Sequence, residues 1–229
     1  VARDAAGRGL RVLLCEKDDL AQATSSSSTK LIHGGLRYLE NFDFKLVRES
    51  LVERETLLKS MPHIIWPLRF VLPHHSGLRP YWLIRLGLLF YDYLGSRKIL
   101  KRTKAINLLQ HKSGDALKNV FTKGFEYSDC WVDDSRMVVL NARDAKRLGA
   151  KIYTRTSFKS AERENDFWNV RLLNERSKEI IQVKTKAIIN CAGPWVQNII
   201  ENSFNNVAKS SLRLIRGSHI VTKNLFENK

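Results

Sequence analysis

The segment Thr24–Glu40, TSSSSTKLIHGGLRYLE, gathers hydroxyls, a lysine, a histidine, paired glycines and an Arg-Tyr pair into one short stretch. Small hydroxyls and cationic donors on a glycine-loosened backbone suit a phosphorylated ligand better than an apolar core. A Ser-rich linker is the plain alternative, but such linkers do not usually run into an apolar-patterned LIHGGLRYLE. The segment is therefore read as a binding loop.

The elements around it must hold it in place. Leu10–Glu16, LRVLLCE, is a short apolar run ending in an acid, the pattern of a buried parallel strand. Before it, VARDAAGRGL has helix-compatible alanines followed by Gly7 and Gly9, where a helix end needs a residue tolerant of left-handed angles. Helix, tight turn, strand and terminal acid make up the second half of a dinucleotide-binding βαβ unit. In that unit Glu16 would accept from an adenosine ribose, with a G-x-G-x-x-G turn expected upstream of Val1 and the chain expected to be a fragment. Taken alone, Glu16 fits a solvated strand-end carboxylate equally well.

Downstream, Asn41–Lys59 has Leu, Val, Glu and Arg at three-and-four spacing, which predicts an amphipathic helix with Glu49, Glu53 and Arg54 on its wet face. Pro62, Pro67, Pro73 and Pro80 then punctuate a region expected to form short extended pieces. His74 and His75 are adjacent with no acid or cysteine cluster nearby, so no metal site is expected. Residues 79–104 combine aromatic and aliphatic side chains with Arg85, Arg97, Lys98, Lys101, Arg102 and Lys104. This composition fits a membrane-interface element and an ordinary core helix about equally. Nothing resembles a zinc knuckle, recognition helix or RNP motif, so nucleic acid is not an expected partner.

Further on, Asp133 or Asp134 can cap a helix running to about Leu148, with Gly149 ending it. KIYTRT, FWNVRLL and EIIQVKTKAIIN read as three strands in succession, the first two and the start of the third forming an antiparallel meander. AIINCAGPW, at 187–195, reads as an apolar strand end breaking at small residues, where the main chain of Asn190, Ala192 and Gly193 can approach a ligand. A plain strand-to-turn transition explains it as well.

Composition bounds the rest. With 229 residues and 43% hydrophobic content the chain can bury a core as one large or two small domains. A net charge of +16 favours anionic partners without choosing between phosphates and membranes. Cys15, Cys130 and Cys191 are odd in number and widely spaced, and read as reduced thiols.

Taken together, TSSSSTKLIHGGLRYLE, YSDCWVDDSR, NCAGPWV and RLIRGSHIV occur in an order and spacing that resemble the FAD-dependent, quinone-linked glycerol-3-phosphate dehydrogenases, over about the N-terminal half of such an enzyme. The resemblance implies an α/β, FAD-binding Rossmann-like fold of the glutathione-reductase and amino-acid-oxidase kind, with an antiparallel meander and the start of a substrate domain. Its pieces are 1–40 with 150–200 for FAD, 41–149 as an insert carrying the membrane-facing segment 79–104, and 205–229 opening the substrate domain. It implies Glu16 at the ribose, Thr24, Ser25 and Ser26 beside the pyrophosphate and ribityl chain, and Lys30, Leu31, His33, Gly34 and Gly35 beneath the flavin. It also implies a second flavin contact at Ala192 and Gly193, although Cys191-Ala192-Gly193 departs from the A-T-G common in the superfamily and lacks its hydroxyl.

Arg37 and Tyr38 match positions facing the substrate phosphate, where a guanidinium fork suits a dianion. The implied reaction oxidises sn-glycerol 3-phosphate to dihydroxyacetone phosphate and passes electrons to ubiquinone. His33 is the titratable group suited to take the hydroxyl proton. A quinone acceptor gives 79–104 a reason to meet an anionic membrane surface, peripherally on the inner membrane of a bacterium or of a mitochondrion; a homo-oligomer is left open. The fragment by itself is expected to be inactive and to bind FAD poorly. An amine or amino-acid oxidase of the same architecture is the alternative enzyme. A non-catalytic basic protein binding membrane or nucleic acid is the alternative class.

Overall fold

The computed structural model describes residues 1–95, 98–204, 212–215 and 217–223. In chain order it holds α1 (Ala2–Gly7), β1 (Leu13–Cys15), β2 (Leu31–Ile32), α2 (Phe44–Ser60), β3 (Ile65–Pro73), α3 (Tyr81–Leu94) and β4 (Lys104–Asn107). There follow β5 (Lys123–Val132), α4 (Asp134–Arg147), β6 (Lys151–Tyr153), β7 (Thr156–Glu164), β8 (Phe167–Asn174), β9 (Ile180–Thr185) and α5 (Val196–Ser203). The chain divides into two compact units, one of residues 1–26 with 138–220 and one of 27–137 with 221 onward. The sequence reading draws its boundaries instead at 40/41 and 149/150. Much of the segment 205–229, read as the start of a substrate domain, lies outside the described residues.

In the first unit α1 ends where expected, and Gly9 adopts φ +79, an angle costly for a residue with a Cβ. β1 pairs in parallel with β6, Leu14 opposite Ile152. Strand β1 is shorter than the seven-residue run that suggested it, because its only described partner is itself three residues long. Ala6, Ala145 and Ala150 pack α1 against α4, and these small side chains allow close approach. Asp133 caps α4, its carboxylate accepting from the Arg136 amide at 3.1 Å, and Gly149 ends it at φ +97.

The meander is β7-β8-β9, and this corrects the expectation for KIYTRT. That run splits: Lys151–Tyr153 joins β1 in parallel, and a turn at Arg155, φ +51, starts β7 at Thr156. Strand β7 runs on through polar SAERE, where Ala161 packs with Val170 and Leu172 while its charged neighbours face water. A second correction concerns 187–192, which form no strand. No described strand lies beside them to complete a ladder.

In the second unit β5 is central, with β3 along one side and β2 and β4 along the other, all antiparallel. The proline-rich region is a single nine-residue strand, β3, in unbroken register with β5, where short pieces were expected. Pro67 and Pro73 are tolerated because β3 pairs with no other described strand. Aromatic residues facing one another across the ladder reinforce the register: Trp66 and Trp131 lie 5.0 Å apart by ring centroid, and Phe70 stacks on Tyr127 at 5.3 Å.

Helix α2 covers this sheet with Val47, Leu51, Arg54, Glu55 and Leu58 buried. Glu49 and Glu53 are exposed as expected, but Arg54 is not on the wet face. It lies three residues from Leu51 and seven from Val47, on the stripe that meets α3 and β5.

Candidate active site

The loop that opened the sequence reading is bent by its own packing requirements. Lys30 takes φ +60, a rare angle for a residue with a side chain, and its amide bonds Ser28 Oγ at 3.1 Å. Ser28 in turn donates to Asp134, just past β5. β2 then pairs Leu31 with Trp131 and Ile32 with Cys130, which delivers residues 33–38 alongside β5.

At Gly34 a methyl group would collide with Leu51 and lie 2.7 Å from the Tyr91 hydroxyl, so close helix packing excludes any Cβ. Gly35 adopts φ +69 and starts a 3₁₀ turn, Leu36–Asn41, whose Leu36 and Leu39 pack on Val47, Leu51 and Tyr91. The two glycines are thus needed by the protein's own turn.

A buried polar network anchors that turn. The Gly34 amide donates to the Tyr91 hydroxyl at 2.7 Å and to Asp129 Oδ1 at 3.3 Å. Tyr91 donates to the same Oδ1 at 2.7 Å, and Arg54 Nη1 reaches it at 2.5 Å while also bonding the Ser128 carbonyl at 3.0 Å. Burial, reinforced by the Asp129 charge, raises the Tyr91 phenol far above its ordinary pKa, so Tyr91 serves as a donor. Sequence reasoning missed this network, because Arg54 and Asp129 lie 75 positions apart.

Above it opens a cavity of about 480 Å³ lined by Leu31, His33, Gly35, Leu36, Arg37, Tyr38, Asn41, Phe70, Tyr127 and Asp129. Five of the residues expected at ligand, Leu31, His33, Gly35, Arg37 and Tyr38, therefore share one cavity. Lys30 and Gly34 stand beside it without lining it. Tyr127 and Asp129 come from alternate positions of β5 and share a face, with Phe70 opposite Tyr127 on β3. Arg37 and Tyr38 are exposed at the cavity, and His33 Nδ1 accepts from the Gly35 amide at 3.1 Å. A neutral ring held so carries its proton on Nε2.

The remaining expected residues belong to the first unit. Glu16 follows β1, its amide bonded to the Tyr153 carbonyl at 2.8 Å, and its Oε1 accepts from the Asp18 amide at 3.0 Å. Among the described residues nothing donates to its Oε2. A half-buried carboxylate with one committed and one open oxygen, at the carboxyl end of a parallel strand, fits a ribose hydroxyl, and the hydroxyls of Thr24, Ser25 and Ser26 lie in a 3₁₀ turn on the same unit. These residues fit FAD. Around Ala192 the turn is closed on itself: its amide donates to Asn190 Oδ1 at 3.2 Å and its carbonyl accepts from Trp195 at 3.0 Å. Gly193, at φ +54 with open space around it, keeps its surroundings clear for close approach.

Comparison with known proteins places the chain among FAD-dependent oxidoreductases. The model of the FAD dependent oxidoreductase family, DAO, matches residues 1–229. The D-erythritol 1-phosphate dehydrogenase of Brucella abortus is 56% identical over 96% of this chain and 44% of its own length. The glycerol-3-phosphate dehydrogenase of Pseudomonas tolaasii is 52% identical over 99% of this chain and 44% of its own. Among solved structures, that of the glycerol-3-phosphate dehydrogenase from Bacillus halodurans complexed with FAD superposes with a TM-score of 0.63 at 24% identity, covering 88% of this chain and 33% of that one. The chain spans less than half the length of these curated relatives. Matched over its whole length by one family model, this chain belongs to the FAD-dependent oxidoreductase (DAO) family.

Proposed function

We propose that the whole protein oxidises sn-glycerol 3-phosphate to dihydroxyacetone phosphate and passes the electrons to a quinone. The observation that carries this reading is the cavity in which Arg37 and Tyr38 stand beside His33. A guanidinium and a phenol suit one phosphate, and the cavity volume falls in the range of small-molecule sites. The relatives' names, glycerol-3-phosphate and D-erythritol 1-phosphate dehydrogenases, support the same substrate class.

Bound FAD supplies the acceptor for the hydride that leaves C2. Within this chain Arg37 and Tyr38 hold the phosphate, and Leu31, Phe70 and Tyr127 keep water from the carbon chain. His33 donates from Nε2 to the substrate oxygen. It becomes the base for the C2 hydroxyl proton when the ring releases the Gly35 amide and turns Nδ1 to the substrate.

Quinone use is supported by α3, where Trp82, Leu86, Leu89, Phe90 and Tyr93 form an exposed apolar stripe flanked by Arg85 and, beyond the helix, Lys101, Arg102 and Lys104. Phe44, edge-on to Phe90 at 6.1 Å, widens it. Such a face suits peripheral attachment to an anionic inner membrane. Arg97 lies outside the described residues. No described helix is long and apolar enough to cross a membrane.

The test is Arg37→Ala in the full-length enzyme. The expected result is a rise of about 10- to 100-fold in KM for glycerol 3-phosphate with flavin content kept; unchanged kinetics removes Arg37 from the substrate site. D-erythritol 1-phosphate is the second reading, favoured by the 56% identity to the Brucella protein. Comparing kcat/KM for the two phosphates in the wild-type enzyme decides between them.

A further inference from the structure

Asp129 holds a carboxylate in the cavity whose two oxygens are used unequally. Oδ1 accepts from Arg54, Tyr91 and the Gly34 amide, while among the described residues nothing donates to Oδ2. The residue is buried on β5, and it lines the cavity together with His33, Arg37 and Tyr38. Three donors on one oxygen prevent the side chain from turning away. With Oδ1 committed and Asp129 lining the cavity, Oδ2 is the oxygen left to accept from whatever occupies it.

An acceptor of that kind has one useful partner in a phosphorylated polyol, a hydroxyl group. It also repels a phosphate dianion, whereas Arg37 attracts one. The cavity is thus polarised, with cation and anion asking for opposite ends of the substrate.

We propose that Asp129 is a specificity-determining substrate contact, its Oδ2 accepting a hydrogen bond from the hydroxyl at the end of the polyol distal to the phosphate. This rests on the reading of the cavity as a polyol-phosphate site. Asp129 thereby fixes which end of the substrate faces Arg37, and it selects polyol phosphates over analogues without the distal hydroxyl. Arg54 and Tyr91 act through Asp129 as positioning residues.

The experiment compares glycerol 3-phosphate with propane-1,2-diol 1-phosphate, which keeps the phosphate and the C2 hydroxyl but lacks the distal one. In the wild-type full-length flavoenzyme kcat/KM is expected to favour glycerol 3-phosphate by roughly 10- to 100-fold, the range for a hydrogen bond to a charged group. Asp129→Asn is expected to shrink that preference at least tenfold by lowering activity on glycerol 3-phosphate alone, with flavin content held. Because a neutral side chain beside buried Arg54 can impair folding, the Arg54→Met/Asp129→Leu pair removes both charges together, and the same loss of preference is expected.

Equal losses on both substrates in either variant mark a purely structural role and overturn the proposal, as does a wild-type enzyme without preference. A wild-type enzyme that oxidises neither this pair nor erythritol 1-phosphate overturns the polyol-phosphate reading and this inference with it. Normal turnover of glycerol 3-phosphate with an unmoved preference overturns the inference alone.

Discussion

Arg54 Nη1 and Asp129 Oδ1 meet at 2.5 Å with side-chain exposures of 1% and 4%, so a full charge pair sits inside the sheet-and-helix unit beneath the cavity. Among the described residues Arg54 Nε is buried with no partner, and the pair is therefore not fully satisfied. Removing one member strands the other charge in a medium that solvates it poorly. Arg54→Met in the full-length enzyme is expected to lower stability by about 3–5 kcal/mol, and adding Asp129→Leu to recover most of that loss. Urea denaturation checks this; a double variant no more stable than the single one refutes it.

Gly34 makes a second stability prediction, because a Cβ there runs into Leu51 and approaches the Tyr91 hydroxyl. Gly34→Ala is expected to cost roughly 1–3 kcal/mol, as overpacking does. Combined with Leu51→Ala, which opens the space, its added cost should nearly vanish. Strictly additive denaturation midpoints would show that the collision is relieved elsewhere.

Two phenols should titrate late. Burial first, and then the Asp129 charge, raise both Tyr91 and Tyr127 above the usual phenol range. The folded protein thus holds these protons more tightly than the unfolded chain. Their contribution to stability is full below about pH 10, where unfolded phenols begin to ionise, and declines as pH rises beyond it. Absorbance at tyrosinate wavelengths should show two of the six tyrosines ionising later than the rest, and Tyr91→Phe should remove the later of them. Six normal titrations before unfolding would contradict the burial of both rings.

The cysteines differ in reactivity. Burial pushes the Cys130 thiol up to about 11, and burial likewise raises half-buried Cys15, whereas Cys191 is exposed. Since the thiolate is the reactive form, a thiol reagent at neutral pH should label Cys191 first and Cys130 last. Peptide mapping after timed labelling reads the order, and early modification of Cys130 would refute it.

Local patterns were legible in the sequence, and distant partnerships were not. The helix and left-handed turn before β1, and the Asp133 cap and Gly149 stop around α4, follow from residues within one turn of each other. His33, Arg37 and Tyr38 reach one cavity because five residues of chain can hardly separate them. Arg54 was misplaced because its charge suggested water, although its spacing from Leu51 and Val47 already put it on the apolar stripe. Asp129 and Tyr127 were passed over for a related reason. Their alternation along β5 becomes meaningful only once Phe70, on a strand more than fifty residues earlier, is known to lie opposite. The prolines hid β3 because their effect depends on whether a strand is central or at an edge, which no local window reveals.

Those prolines bear on how the protein behaves in a crowded solution. The His74 amide points toward β5, bonding the Lys123 carbonyl at 2.9 Å, so by alternation positions 73 and 67 would point their amides away from the sheet. Both are proline and have no hydrogen to offer there. A stray strand from a neighbouring molecule aligning along β3 would meet gaps at two of the outward positions it must bond, and the flank resists the stacking that seeds fibres.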